Sequence, residues 1–346
     1  MRLPLKYVFL ISIHWLIAGA AFGQAPPPDA RHFFEYENVL QVTLQTDYYD
    51  LRKQRQSDDC RKATISFAND TTSINHVAVE VKPRGVFRRA MCNPPQLMVN
   101  FKTDKASPLY KLGRLKLVTA CSADPMSDQL VIKEYLVYKM LQVMTGLSFR
   151  VRLVQVDMLS LDGTRYSDKR YAFFLEDVDD VAERNNCVEL AGTAKLNTEA
   201  LDRESNTMTA IFQFMIGNTD WSIPQQHNIK IVQRKEPKYS APFSIPYDFD
   251  GSGMVNAPYA LPSDDLPIQS VTDRLYRGYG RTYEELEKTL QIFRAKKPEL
   301  LGVIQDCAEL NKRNKKEMTD YLNSFFEIID NKFKVKEYFI ANARTQ

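Results

Sequence analysis

Two stretches, IGNTDWSIPQQHN at residues 216–228 and IPYDFDGSG at residues 245–253, look unlike ordinary packing. Each sets carboxylates beside glycine or at a strand end, where a loop can present them to a cation or ligand. Magnesium chemistry on a nucleotide needs oxygen ligands, one or two from the protein and the rest from phosphates. Asp248 and Asn228 can supply them while Asp220 stays free to orient a hydroxyl. The interval between Asp220 and Asp248 is long enough for a two-stranded hairpin that brings both acids to one mouth.

Upstream, the segment from Asp128 to Thr145 reads as a helix stopped by Gly146. On a 3.6-residue wheel Leu130, Val137, Leu141 and Met144 share one arc, and Glu134 falls in its middle. A carboxylate buried there requires a cation. Lys116, centred in the apolar strand from Leu115 to Val118 and 18 residues earlier, is the nearest candidate in chain order. The plainer reading puts Glu134 at the border of the apolar face. Around this helix, Val77 to Val81, Leu97 to Phe101, Leu115 to Thr119, Phe149 to Val156 and Tyr171 to Leu175 read as strands. Beyond Glu176 a helix ends near Gly217, a β-rich stretch runs from Asn228 to Phe249, and charged amphipathic helices follow from Tyr283.

In these strings the chain resembles the atypical branch of protein-kinase-like proteins that includes the spore-coat CotH kinases and the HipA-type kinases. Members run a helix into a G-N-x-D loop, place an Asn before a strand, and supply a metal-binding Asp from a P-x-D or Y-D segment. KPRGVFRR at 82–89 and NPPQLMVNF at 93–101 add a similarity to CotH, and the whole resemblance spans about Val77 to Ala260. It implies an α+β, two-lobed protein-kinase-like fold: a β-rich N-lobe with one helix over 36–175 and a helical C-lobe over 176–346. It also implies roles. Asp220 would be catalytic, and Asn228 and Asp248 would hold Mg2+ or Mn2+. Lys116 would grip the phosphates of ATP with Glu134 holding it in place. Arg84 and Gly85 would cover the phosphates, and the connector from Phe174 to Asp177, with Glu176, would face the adenine. The implied reaction moves the terminal phosphoryl group to a Ser or Thr hydroxyl of an exported protein. The alternatives are an inactive binding module of the same fold, and an enzyme acting on a glycan or small molecule.

The chain departs from that pattern at several points. Asn228 follows Asp220 by eight residues where a protein kinase has five. The front half has no Gly-x-Gly-x-x-Gly loop, and Lys102 competes with Lys116 for the phosphate. A calcium loop starting at Asp248 fails at its twelfth position, which is Tyr259. His227 has no evident partner and reads as a packing or hydrogen-bonding residue. Trp221 and the segment from Phe212 to Phe214 read as core, and 311–317 as a solvated helix face or turn.

Composition fits a globular chain of 346 residues, 44% hydrophobic and 26% charged. Its 46 bases and 43 acids are interspersed, so nothing supports nucleic-acid binding. Arg2 and Lys6, the apolar run from Tyr7 to Ala18 and the small-residue ending at Gly23 read as a secretory signal peptide, with a spacer over 24–35. The competing membrane anchor is short and interrupted by Ser12 and His14, so no membrane span is expected after cleavage. Export permits disulfides among Cys60, Cys92, Cys121, Cys187 and Cys307. Cys92 and Cys121 flank the open end of the hairpin made by Leu97 to Phe101 and Leu115 to Thr119, which makes them the best pair; both unpaired is the other reading.

Overall fold

The computed structural model describes residues 32–344 apart from 69–72, 86, 94, 123, 191, 193–195 and 238. The signal peptide and most of the spacer lie outside the described residues. Seven strands of the front half close into a barrel: β1 Leu40–Thr46, β2 Arg61–Ala68, β3 Ser73–Pro83, β4 Leu97–Asn100, β5 Arg114–Thr119, β6 Val151–Leu159 and β7 Arg165–Leu175. Their order round the barrel is β1-β2-β3-β4-β5-β7-β6. Every neighbouring pair is antiparallel except the closing seam, where β1 runs parallel to β6 with Leu40 opposite Val154. Period-two alternation builds the interior: Leu40, Val42 and Leu44 of β1 meet Ile65 and Phe67 of β2, Val99 of β4, Leu117 of β5 and Phe174 of β7.

The opposite face of β5, β6 and β7 is also apolar. Val118, Leu153 and Phe173 pack against α3 (Met126–Met144), and the same core continues through α5 (Arg203–Ile216), α6 (Tyr283–Gln305) and α7 (Lys312–Ile329). Short helices α1 (Tyr48–Lys53), α2 (Phe87–Met91), α4 (Val178–Arg184) and α8 (Lys332–Lys336) complete the helical set. A second sheet, β10-β9-β8, joins β8 (Cys187–Glu189), β9 (Ile229–Arg234) and β10 (Phe243–Pro246).

This architecture overturns the expected α+β, two-lobed kinase-like fold. The front is a closed mixed barrel, and its helix α3 shares one hydrophobic core with the back helices instead of belonging to a separate lobe. The physical reason lies in the strands. The sequence expectation found β4 to β7 and part of β3 but missed β1 and β2, the two that complete the ring and place its seam. The helix expected over 128–145 and the hairpin of β4 and β5 are present, with Leu97 opposite Leu117. Cys92 and Cys121 form a disulfide with Cα atoms 4.4 Å apart. Among the described residues no helix is long and apolar enough to cross a membrane.

Candidate functional site

Helix α5 ends at Gly217 in the left-handed region, φ 65°, and a Cβ there would stand 2.0 Å from the Tyr321 hydroxyl oxygen. Glycine is required on both counts. The turn releases the loop that carries Asn218 and Asp220, and the Asn218 side chain accepts the Asp220 N–H at 3.0 Å. The second acidic loop lies beside it: Gly253 donates its N–H to Gly217 O at 3.1 Å, and Met254 to Ile216 O at 2.9 Å. Strands β9 and β10 pair with Ile229 opposite Pro246, so their open end sets Asn228 beside Tyr247, whose N–H donates to Asn228 O at 3.1 Å. The two motifs are therefore stitched together at both ends.

Asn228 and Asp248 both have left-handed backbones, φ 52° and 64°. Asn and Asp are the non-glycine types that tolerate this region best, and its occurrence at two facing loop residues marks a strained, over-determined site. The Asn228 amide donates to Asp220 O at 2.9 Å and to Asp220 Oδ2 at 3.0 Å. Its Oδ1 accepts no hydrogen bond among the described residues. Asp220 also meets His227 Nε2 at 2.7 Å, with the carboxylate 63% exposed and open to an incoming group. His227 thus has the partner that the sequence did not reveal.

Tyr138 of α3 accepts the Asp248 N–H at 2.8 Å and fixes the loop, yet the Asp248 carboxylate accepts no hydrogen bond among the described residues. Its nearest cation is Arg88 at 3.8 Å, and desolvation raises its pKa above the ordinary carboxylate range. Oxygens of Glu134, Asp248 and Asp250 lie within 4.8 Å of one another. Arg88 stands among them, 3.2 Å from Glu134 and 2.6 Å from Asp250, while Tyr259 donates its hydroxyl to Asp250 at 2.9 Å. Burial pushes the Glu134 carboxyl up from its ordinary value, an effect opposed by Arg88.

Lys116 does not pair with Glu134. On β5 it shares the outward face of Val118, and its ammonium lies 4.6 Å from the centre of the Tyr247 ring. Desolvation, reinforced by Arg84, lowers its pKa to about 8. Arg84 is likewise largely enclosed, with desolvation lowering its pKa and Asp248 as its strongest acidic influence. Neither cation has an ion pair or side-chain hydrogen bond among the described residues. Lys102 is exposed beyond the end of β4, away from this group. The buried carboxylate of Glu176 is held by Arg150 at 2.8 Å and Arg184 at 3.2 Å, and its N–H donates to Arg150 O.

Of the expected set, the structure joins Asp220 to Asn228, sets Asn228 beside the loop that carries Asp248, places Lys116 against Tyr247 and Arg84 within electrostatic reach of Asp248, holds the Glu176 carboxylate with two arginines, and gives Glu134 to Arg88. Sequence reasoning passed over Arg88, Asp250 and Tyr259 as functional residues. Arg88 was visible in KPRGVFRR, but nothing in the string says which of three arginines turns inward. A cavity of about 460 Å³ between α3, α5 and α6 reaches Pro246 but none of these charged groups. Among the described residues, the acidic group that could hold a metal ion is Glu134, Asp248 and Asp250, a set of hard carboxylate oxygens. No family model matches the sequence, and no curated protein matches it either, so the reading of this site rests on its own geometry.

Proposed function

We propose that this crevice binds ATP with Mg2+ or Mn2+ and transfers the terminal phosphoryl group to a hydroxyl, that of Ser or Thr in an exported protein. The observation that carries the reading is a pair of largely enclosed cations with no ion pair among the described residues, Lys116 on the Tyr247 ring and Arg84, beside a part-exposed carboxylate, Asp248, that accepts no hydrogen bond among them. Cations left without an ion pair beside an open carboxylate suit a ligand that brings phosphates and a metal together. Asp248 and Asn228 Oδ1 would hold the metal, which when bound offsets phosphate charge. Lys116 and Arg84 bind the phosphate oxygens. Asp220, held by Asn228 and His227, orients the acceptor hydroxyl. As the new P–O bond forms and the bond to the departing diphosphate breaks, the hydroxyl proton passes to the Asp220–His227 pair. The disulfide supports an oxidising, exported setting.

One observation favours a second reading. Arg88 already neutralises Glu134 and Asp250, which suits a module that binds its ligand and moves no phosphoryl group. A melting scan with ATP and Mn2+, run beside a transfer assay with labelled ATP, separates the two. Binding raises the melting temperature through linkage. Asp248→Ala should abolish the metal-dependent shift, and Asp220→Ala should keep the shift and lose transfer. A chain whose melting is indifferent to ATP with either metal refutes both readings.

A further inference from the structure

A half-open groove of about 520 Å³ opens at the barrel end beside the disulfide, lined among others by Arg52, Arg165, Arg170, Thr119, Tyr166 and Asn93. It shares no lining residue with the Lys116, Arg84 and Asp248 group. Its charge is unbalanced. Arg165 pairs with Asp157 at 3.1 Å, and Arg170 pairs with Asp128 at 2.7 Å while also donating to Asp124 O. Arg52, exposed on α1, has no side-chain partner among the described residues. Three guanidinium groups therefore face two carboxylates. Thr119, in the wall between this groove and the small cavity beside Arg88 and Glu134, is 3% exposed, and its hydroxyl has no hydrogen-bond partner among the described residues. A buried hydroxyl left unmade costs stability, and a ligand acceptor would relieve it. The apolar side is preformed: Tyr166 stacks on Tyr48 at 4.5 Å and 14°, and its hydroxyl donates to Asn93 Oδ1 at 3.1 Å.

We infer that this groove is a second ligand site, one that takes a phosphate monoester with a flat or aromatic body. The guanidinium of Arg52, the outer edges of Arg165 and Arg170 and the Thr119 hydroxyl receive the phosphate, and the Tyr166 ring receives the body. The site stands whether or not the proposed phosphoryl transfer does.

Calorimetric titration of the full chain with phenyl phosphate and with inorganic phosphate tests it. Phenyl phosphate should bind saturably and more tightly than inorganic phosphate. Arg52→Gln, a surface change that leaves the fold alone, should weaken it about tenfold or more, the share of one charge-assisted hydrogen bond. Thr119→Val, which keeps shape and removes the hydroxyl, should weaken it as well, and Lys105→Met, an exposed change between β4 and β5 outside both sites, should leave it unchanged. Absence of saturable binding overturns the inference. So does affinity that survives Arg52→Gln, and equal affinity for the two probes overturns the ester assignment.

Discussion

Arg88 meets Glu134 at 3.2 Å across 46 residues of sequence, so the cation that the buried carboxylate requires comes from the five-residue helix α2 and not from the neighbouring strand β5. The guanidinium is only 14% exposed and serves three acids at once. Removing it leaves uncompensated buried charge, so Arg88→Met should destabilise the fold by roughly 3–5 kcal/mol in denaturant melts. Glu134→Gln should cost far less, because the amide oxygen still accepts from Arg88 while the burial penalty of the carboxylate vanishes.

The same variant exposes the metal chemistry of the triad. With Arg88 gone, Glu134, Asp248 and Asp250 remain within 4.8 Å of one another without their cation. Mn2+ should therefore raise the melting temperature of Arg88→Met by more than it raises that of the parent chain. An equal response in both would show that the guanidinium does not stand in a cation's place.

What was readable from the sequence, and what was not, follows from the range of each interaction. The β4–β5 hairpin and its disulfide, helix α3 with its inward carboxylate, and the loops at Asp220 and Asp248 all rest on local pattern and were legible. Barrel closure was not. It depends on β1 pairing with β6 more than a hundred residues away, and alternation shows which face of a strand is buried without naming its neighbour. The partner of Glu134 failed for the same reason: Lys116 was chosen by proximity in sequence, whereas the fold delivers Arg88 through a loop whose path no periodicity records. His227 hydrogen-bonds as expected, but its partner, Asp220, becomes a neighbour only when the loop folds back on itself.

The disulfide ties the end of α2 to the end of β5, closing a loop with a sequence separation of 29, and Cys92 donates its N–H to the Arg88 carbonyl. Chain entropy gives such a link about 3–4 kcal/mol. Replacing both cysteines by serine should lower stability by about that amount, read as a lower denaturant midpoint with a steeper slope, because the released unfolded chain exposes more surface. Because α2 carries Arg88, the double variant should also become more responsive to Mn2+ than its parent, which a change in chain entropy alone would not produce.

Lys116 supplies a pH dependence with a definite sign. Burial lowers its folded pKa to about 8 from the ordinary lysine value of 10.5, so between those values the folded chain binds fewer protons than the unfolded one. Its contribution to stability therefore improves as pH rises through that window, and the cost of burying the charged amine is complete below about 8. Lys116→Met should melt higher than the parent at neutral pH, with the advantage shrinking towards pH 10. ATP affinity should move the opposite way, falling as pH rises above about 8 because the amine that holds the phosphates loses its charge. A flat affinity profile across that range would remove Lys116 from the phosphate site.

Asn228 separates backbone strain from side-chain chemistry. Its φ of 52° suits glycine and is costly for a β-branched residue, while its amide donates twice to Asp220 and its Oδ1 accepts no hydrogen bond among the described residues. Asn228→Gly should keep the backbone and lose only these contacts, about 1–2 kcal/mol for the hydrogen bonds to Asp220. Asn228→Val should lose the same contacts and add about 1–2 kcal/mol of left-handed strain. If Asn228 holds metal and positions Asp220, both variants lose transfer together with the metal-dependent melting shift, although their stabilities differ. If its role is only to permit the turn, Asn228→Gly retains both activities in full. Comparing melting midpoints with and without ATP and Mn2+ for the two variants decides between a ligand and a hinge.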